Sequence, residues 1–252
     1  MPAAAGEPLR LTGKPPLLVG ALDYANDTPE SVRLDRREAS FRSAQGGEAH
    51  GSLRFVGRAL PHARTRVPVH LMVGAGTPPG VYSTEVDVGG TVRPVEARVL
   101  ERLGVRVVPN LVQLRAAAGE RIEADLVVAN EGNVEQTLPR HAVVFFEEAN
   151  WVGRALVFAL RDAEPDEGVQ RYLDRVVREL CTTMAGTTTL DFDAPAAALQ
   201  PGAETVVHLS ATLPDALVKS RTYVAFFTFA GRLVHIEVAV NGAANSTKRR
   251  PA

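Results

Sequence analysis

Two acidic pairs, six histidines and a lone cysteine are the residues of this chain whose types could carry out catalysis or hold a metal. Asp191 and Asp193 flank Phe192, and the two-residue period of a strand sets both carboxylates on one face, as a calcium site or a glycosidase pair requires. No glycine-rich calcium loop accompanies them, so a solvated strand edge is the preferred reading. Glu147 and Glu148 are adjacent, which makes them the poorer pair. His50, His62, His70, His141, His208 and His235 sit in six different local contexts without an H-E-x-x-H spacing. His70 and His208 fall at matching places in two similar strands, off the apolar side, and read as solvent-facing residues or as a site shared by two repeats. Cys181, with Arg178 three residues before it, reads as a small packed hydrophobe, with a reactive thiol as the alternative. Gly74, Gly76 and Gly80 depart from the G-x-G-x-x-G spacing, and Pro78-Pro79 removes two backbone donors, which excludes a phosphate cradle. No metal and no cofactor is expected.

The apolar residues are more suggestive. Val143-Val144-Phe145-Phe146 is followed by Trp151 and by Leu156-Val157-Phe158-Ala159-Leu160, and with Phe226, Phe227 and Phe229 these concentrate the aromatic residues in the second half of the chain. They form either a core enlarged to receive a helix or a partner surface with Phe145, Phe146 and Trp151 as its anchors.

The elements that must position these residues are strands. Val67, Val69, Leu71 and Val73 alternate with Pro68, His70 and Met72, as a half-buried strand requires. Val86 and Val88 continue the alternation, and Gly89-Gly90 is a hairpin turn leading to Val92, Val95, Ala97 and Val99. The same period marks 105–108, 112–114, 122–128, 206–213 and 223–240, with Gly, Pro, Asn and Asp clusters between them at the spacing of an all-β sandwich. The pattern is also repeated. Phe41–Gly46 and Leu53–Gly57 align at an offset of 73 with Leu114–Gly119 and Leu126–Asn130, and Tyr82–Val99 aligns at an offset of 141 with Tyr223–Val240. Two sandwiches, residues 8–101 and 102–241, account for both matches, the second carrying an insertion at about 134–200.

One helix is expected inside that insertion, at about 166–184. Val169, Tyr172, Leu173, Val176, Val177, Leu180 and Met184 form its apolar stripe, which should lie against the sandwich as a lid. Asp162, Glu164, Asp166 and Glu167 suit the positive end of its dipole better than they suit a metal, and Gly186 is its expected stop.

Composition narrows the partners. With 28 Lys+Arg against 29 Asp+Glu in 252 residues, no net field draws in nucleic acid. The excess of arginine over lysine, with the many alanines, suggests a GC-rich bacterial source. A single cysteine excludes an intramolecular disulfide. The first residues lack the basic and apolar regions of a secretory signal, so the expectation is a cytoplasmic chain, or an envelope one if a precursor was trimmed. No apolar run is long enough for a membrane span. Residues 242–252 are small, polar and basic at the end, and are expected to be a disordered tail.

Val127-Val128-Ala129-Asn130-Glu131-Gly132-Asn133, and Thr77-Pro78-Pro79-Gly80-Val81-Tyr82 after a V-x-V-x-L strand, resemble the alpha-galactosidase-associated (NEW3) Ig-like domains of bacteria and archaea, in a wider set with Hydin-type and pilus-chaperone-like sandwiches. The resemblance covers the two β units and not the insertion, and it implies adhesion, scaffold or accessory binding modules. On their own chemistry, Asn130, Gly132 and Asn133 tolerate positive φ and bond nearby backbone, and Tyr82 is placed to pack across a sandwich corner with its hydroxyl on a loop carbonyl. The expected fold is therefore all-β with one helix: two tandem Ig-like antiparallel sandwiches, the second carrying a helical insertion. The expected function is non-enzymatic binding of another protein through that insertion, oligomeric state open. A carbohydrate or cell-wall module, a pilus-chaperone-like strand-pairing protein, and least of all an enzyme using Asp191 and Asp193 or Cys181, are the alternatives.

Overall fold

A computed structural model of the chain describes residues 8–44, 46–163, 168–182 and 184–241. The first seven strands are β1 (Leu9–Lys14), β2 (Leu17–Asn26), β3 (Arg37–Ser43), β4 (Glu48–Phe55), β5 (Ala63–Val73), β6 (Gly80–Val88) and β7 (Thr91–Val99). They close into a barrel in the order β1-β2-β5-β4-β3-β6-β7. Its pairings are antiparallel except that β1 runs parallel to β7, from Leu9↔Val95 to Gly13↔Val99. Alternation builds the core: Val67, Val69, Leu71 and Val73 turn inward from β5 to meet Leu11, Leu18, Leu53 and Phe41. Gly89 and Gly90 both take positive φ, as a two-residue hairpin joining Val88 to Thr91 demands.

The remaining elements are β8 (Val105–Val108), β9 (Leu111–Ala116), β10 (Arg121–Asn130), β11 (Gln136–Thr137), β12 (His141–Glu148), α1 (Trp151–Arg161), α2 (Val169–Thr182), β13 (Met184–Asp193), β14 (Ala198–Leu199), β15 (Glu204–Thr212), β16 (Thr222–Phe229) and β17 (Arg232–Val240). Eight of them form a sheet in the order β8-β10-β15-β13-β12-β16-β17-β9, with β9 parallel to β17, and β11 pairs with β14. The chain divides into two compact units, Met1–Gly104 with Asn130–Gln136 and Gln200–Ala203, and Val105–Ala129 with Thr137–Leu199 and Glu204–Ala252.

Read through the hydrogen bonds, the two sheets share six strands in one order, β10, β15, β13, β12, β16 and β17 standing where β2, β5, β4, β3, β6 and β7 stand in the first, while β1, which pairs with both β2 and β7, is answered by β8 beside β10 and β9 beside β17. The fold is all-β, two tandem Ig-like sandwiches of mostly antiparallel strands, with the helices confined to the second. This supports the offset-141 match, which joins β6 and β7 to β16 and β17. It corrects the offset-73 match, which set β3 and β4 against β9 and β10. The true equivalents of β9 and β10 are β1 and β2: Leu11 pairs with Ala97 as Leu114 pairs with Val238. Two strand-turn-strand segments with the same alternation look alike in sequence wherever they sit in the sheet.

The insertion is correspondingly narrower than 134–200. β12 and β13 are sheet strands, and the added chain lies between them, where the first unit has only the tight turn from Ser43 to Gly47. It holds two helices, not one. The second matches the expected helix from Val169 to Thr182; Glu164, Asp166 and Glu167, and the tail at 242–252, lie outside the described residues. Gly186 is not its stop but a residue of β13 with φ +98.

β2 and β10 each end on a buried asparagine. Asn26 Nδ2 donates to the Glu30 carbonyl at 2.7 Å and its Oδ1 accepts from the Thr28 amide at 3.1 Å. Asn130 repeats both bonds, to the Val134 carbonyl at 2.8 Å and from the Gly132 amide at 2.9 Å. The amide side chain thus replaces the ladder partner that each turning chain lacks. None of Asn130, Gly132 and Asn133 has positive φ; the turn is shaped by side-chain bonding together with backbone bonds from Glu131 to the Gly104 carbonyl and from Asn133 to the Arg102 carbonyl. Asn133 bonds in the same way, Nδ2 donating to the Thr77 and Leu100 carbonyls and Oδ1 accepting from the Arg102 amide. Replacing Asn26 or Asn130 by alanine orphans buried backbone groups and should lower unfolding stability by about 2 kcal/mol each, measured by urea titration; a change within about 0.5 kcal/mol would show the turns to be self-supporting.

Candidate functional site

Where β12 gives way to α1, an inward position carries a charge. Val144, Phe146 and Glu148 alternate toward the core, and the Glu148 carboxylate accepts from Arg154 of α1 and, at 2.9 Å, from Arg221 Nη1 just before β16. Only 11% of the Glu148 side chain is exposed, so the carboxylate needs both guanidinium groups. Beyond this anchor α1 and α2 pack on each other. Trp151, which begins α1, is half-buried; Ala155 and Ala159 are its buried residues. Phe158 is flanked by the guanidinium groups of Arg154 and Arg161, 5.5 and 4.6 Å from its ring centre.

The rest of α1 is apolar and open to solvent. Val157 is 63% and Leu160 62% exposed, and Val152 and Leu156 join them. On α2 the stripe Val169, Leu173 and Val177 is exposed, and among the described side chains of that helix none is buried. The expectation that α2 would lie on the sandwich as a lid is therefore corrected: its inner edge is turned to α1. Cys181 is likewise exposed rather than packed.

Of the proposed anchors, Phe146 is completely buried, because its place on β12 points inward; it belongs to the core and has no surface to offer. Phe145 points outward and is 37% exposed. Phe226, on the neighbouring strand β16, is also exposed and meets His235 edge to face at 4.7 Å. Val152, Leu156, Val157 and Leu160 are exposed and do not enlarge the core, and none of them is among the anchors that the sequence singles out.

The polar candidates are scattered. Asp191 and Asp193 share the outer face of β13 as expected, opposite Ser210 and His208. Asp193 borders an open groove of about 250 Å³ lined by Leu138, Pro139, Arg140 and three alanines, and it is the one acidic residue there. Among the described residues, no three His, Cys, Asp or Glu side chains could together hold a metal ion. No described helix is long and apolar enough to cross a membrane. His70 and His208 are not equivalent. His208 pairs with Asp125, five residues from the Asn130 end of the ladder, while His70 pairs with Val19, seven residues from Asn26. A slip of two keeps the same face, which is why the sequence match looked exact. Tyr82 is buried and its hydroxyl donates to the Pro78 carbonyl at 2.9 Å, and burial raises its pKa. Tyr223 holds the matching corner, its hydroxyl accepting from the Val218 amide at 3.1 Å.

No family model and no curated protein matches the chain. Among solved structures it is similar to a protein of unknown function from Porphyromonas gingivalis W83, at 11% identity and TM-score 0.29 over 92% of this chain and 96% of that one. It is also similar to the extracellular portion of mouse CD200RLa, at 7% identity and TM-score 0.31 over 93% and 100%, and to a titin A168169 structure, at 12% and 0.28 over 94% and 98%. Likeness at this level carries no argument, and the architecture rests on the strand order and buried alternation described above.

His208 on β15 forms an exposed charged pair with Asp125 on β10. Its Nδ1 lies 2.8 Å from Asp125 Oδ1, and that hydrogen bond, with the nearby charges of Asp125, Glu123 and Asp193, raises its pKa above the ordinary histidine value. Because the folded pKa is the higher one, the linked stabilisation is present below about pH 6.5 and is lost as pH rises through the folded pKa. An NMR titration should place the His208 midpoint above that of an unperturbed histidine, and Asp125→Asn should bring it down; a midpoint unmoved by Asp125→Asn would contradict the pairing.

Proposed function

We propose that this chain is a non-enzymatic binding or scaffold protein built from tandem Ig-like repeats, residues 8–101 and 102–241, and that the helical hairpin of the second repeat is its partner surface. The NEW3-like turn motifs fit this reading, since such domains act as accessory binding modules. The observation that carries it is α1: an eleven-residue helix with charge only at Arg154 and Arg161, whose buried residues are two alanines. A helix apolar around most of its circumference is stable in water only when something covers it. Partner surfaces are built on such patches, with an aromatic anchor near the centre; Trp151 and Phe145 are the candidates for that role here.

Val157→Glu with Leu160→Glu should leave the unfolding curve within about 0.5 kcal/mol of wild type, because both side chains already face solvent. The same pair should reduce capture of a protein partner from source-cell extract at least about tenfold, the scale of removing one good apolar contact. Undiminished capture would remove the hairpin from the binding surface. A carbohydrate reading has its own observation, the exposed Phe145 and Phe226 on the outer face of β12 and β16. It predicts glycan retention that Phe226→Ala abolishes and the hairpin variant leaves intact.

A further inference from the structure

The inference here deepens the reading of the hairpin as a binding surface and rests on it: we propose that its occupant is a second copy of this chain, two hairpins joining about a twofold axis as a four-helix bundle. The first argument is the shape of the apolar surface. At about 100° per residue, Val152, Leu156, Leu160, Gly153 and Val157 cover a continuous arc of about 140° on α1, with no charge inside it. Leu173 and Val177 extend it on α2. A two-helix hairpin with one such face is half of a four-helix bundle, and the face that satisfies it best is another of the same kind.

Size agrees. The exposed parts of Val152, Leu156, Val157, Leu160, Leu173 and Val177 amount to roughly 600 Å² of apolar surface, against about 800 Å² per partner in a stable interface of standard size. Charge agrees as well. Arg171, Arg175 and Arg178 line one groove with Asp162, Asp174 and Glu179, three cations with three carboxylates. At about 100° per residue these arginines fall about 100–160° round α2 from Leu173 and Val177, so the groove lies away from the apolar face and leaves it without a single-sign field that would draw in a nucleic acid, an acidic peptide or an anionic membrane.

Gly153 points the same way. It sits inside the arc, in the first turn of α1, and a methyl group there would meet nothing within 4 Å in the single chain. Nothing within one copy requires glycine at that place. A second helix crossing closely over α1 does, since the missing side chain lets the two backbones approach.

The test is sedimentation velocity on the full chain from about 1 to 100 µM, a range that spans the dissociation constants of weak and moderate dimers. The expected result is a concentration-dependent monomer–dimer equilibrium. Val157→Glu with Leu160→Glu should raise its dissociation constant at least tenfold, with an unchanged circular dichroism spectrum. Gly153→Leu, a better helix former, should raise the helix signal of the monomer and also prevent the dimer. A wild-type chain that stays monomeric throughout overturns the proposal, as does a dimer indifferent to both variants. Monomeric wild type whose capture of another protein is lost in the glutamate variant would reject the second copy and leave the binding surface standing. If that capture is also unchanged, both readings fail. A monomer that instead floats with phosphatidylserine vesicles overturns the proposal in favour of a lipid surface.

Discussion

The Glu148 carboxylate, set between the guanidinium groups of Arg154 and Arg221, is the contact on which the attachment of the helical hairpin to the sheet depends. It occupies an inward position of β12, where alternation would otherwise place another Val or Phe, and it converts the last core position of that strand into a polar anchor. A carboxylate so little exposed is tolerable only while both cations stay. Arg154 lies one helical turn into α1 and Arg221 just ahead of β16, so one group ties the root of the hairpin to the next strand of the sheet. Outward from this anchor, the contacts of the hairpin are largely its own.

Much of the sheet architecture was legible in the sequence because it rests on local chemistry. Gly89-Gly90 demanded a two-residue hairpin, Tyr82 a corner hydrogen bond, and the alternation of Val67 to Val73 a half-buried strand; each is present. Register was not legible to the same degree. A period of two is unchanged by a slip of two residues, so His70 and His208 look equivalent, and a strand-turn-strand segment carries no mark of whether its strands pair, so β9 and β10, which lie towards opposite ends of their sheet's order, resemble the hairpin β3 and β4. The marks that settle the comparison are Asn26 and Asn130, whose side chains make the same pair of backbone bonds. Their recurrence four residues into two different loop sequences carries no pattern that a match of residue types would notice.

The two helices divide in the same way. α2 announced itself, since Val169, Tyr172, Leu173, Val176, Val177 and Leu180 leave a polar face of arginines and acids between them. α1 did not. Trp151 to Arg161 has only Arg154 and Arg161, seven residues apart on one side, to mark a helical period, and Trp, Val and Phe read as strand residues. The property that hid this helix is the one that makes it a candidate surface: apolar residues without periodicity imply burial, and the chain by itself buries only two alanines there. For the same reason Phe146 was overrated. An aromatic residue in such a run is as apt to be core as surface, and only the direction of β12 distinguishes it from Phe145.

The central claim is that the hairpin is an addition to a sandwich that folds without it and is present for the sake of a partner. β12 and β13 already pair from His141↔Asp191 to Glu147↔Met184, so residues 150–182 can be replaced by a short glycine-containing turn of the kind that joins β3 to β4. Urea unfolding and partner binding of this variant, measured side by side with wild type, test the claim most directly. The account predicts a transition that stays cooperative but is lowered by about 3 kcal/mol, the scale of leaving the buried Glu148 with one of its two cations, together with loss of binding. A variant that unfolds, or one that binds as before, would contradict it.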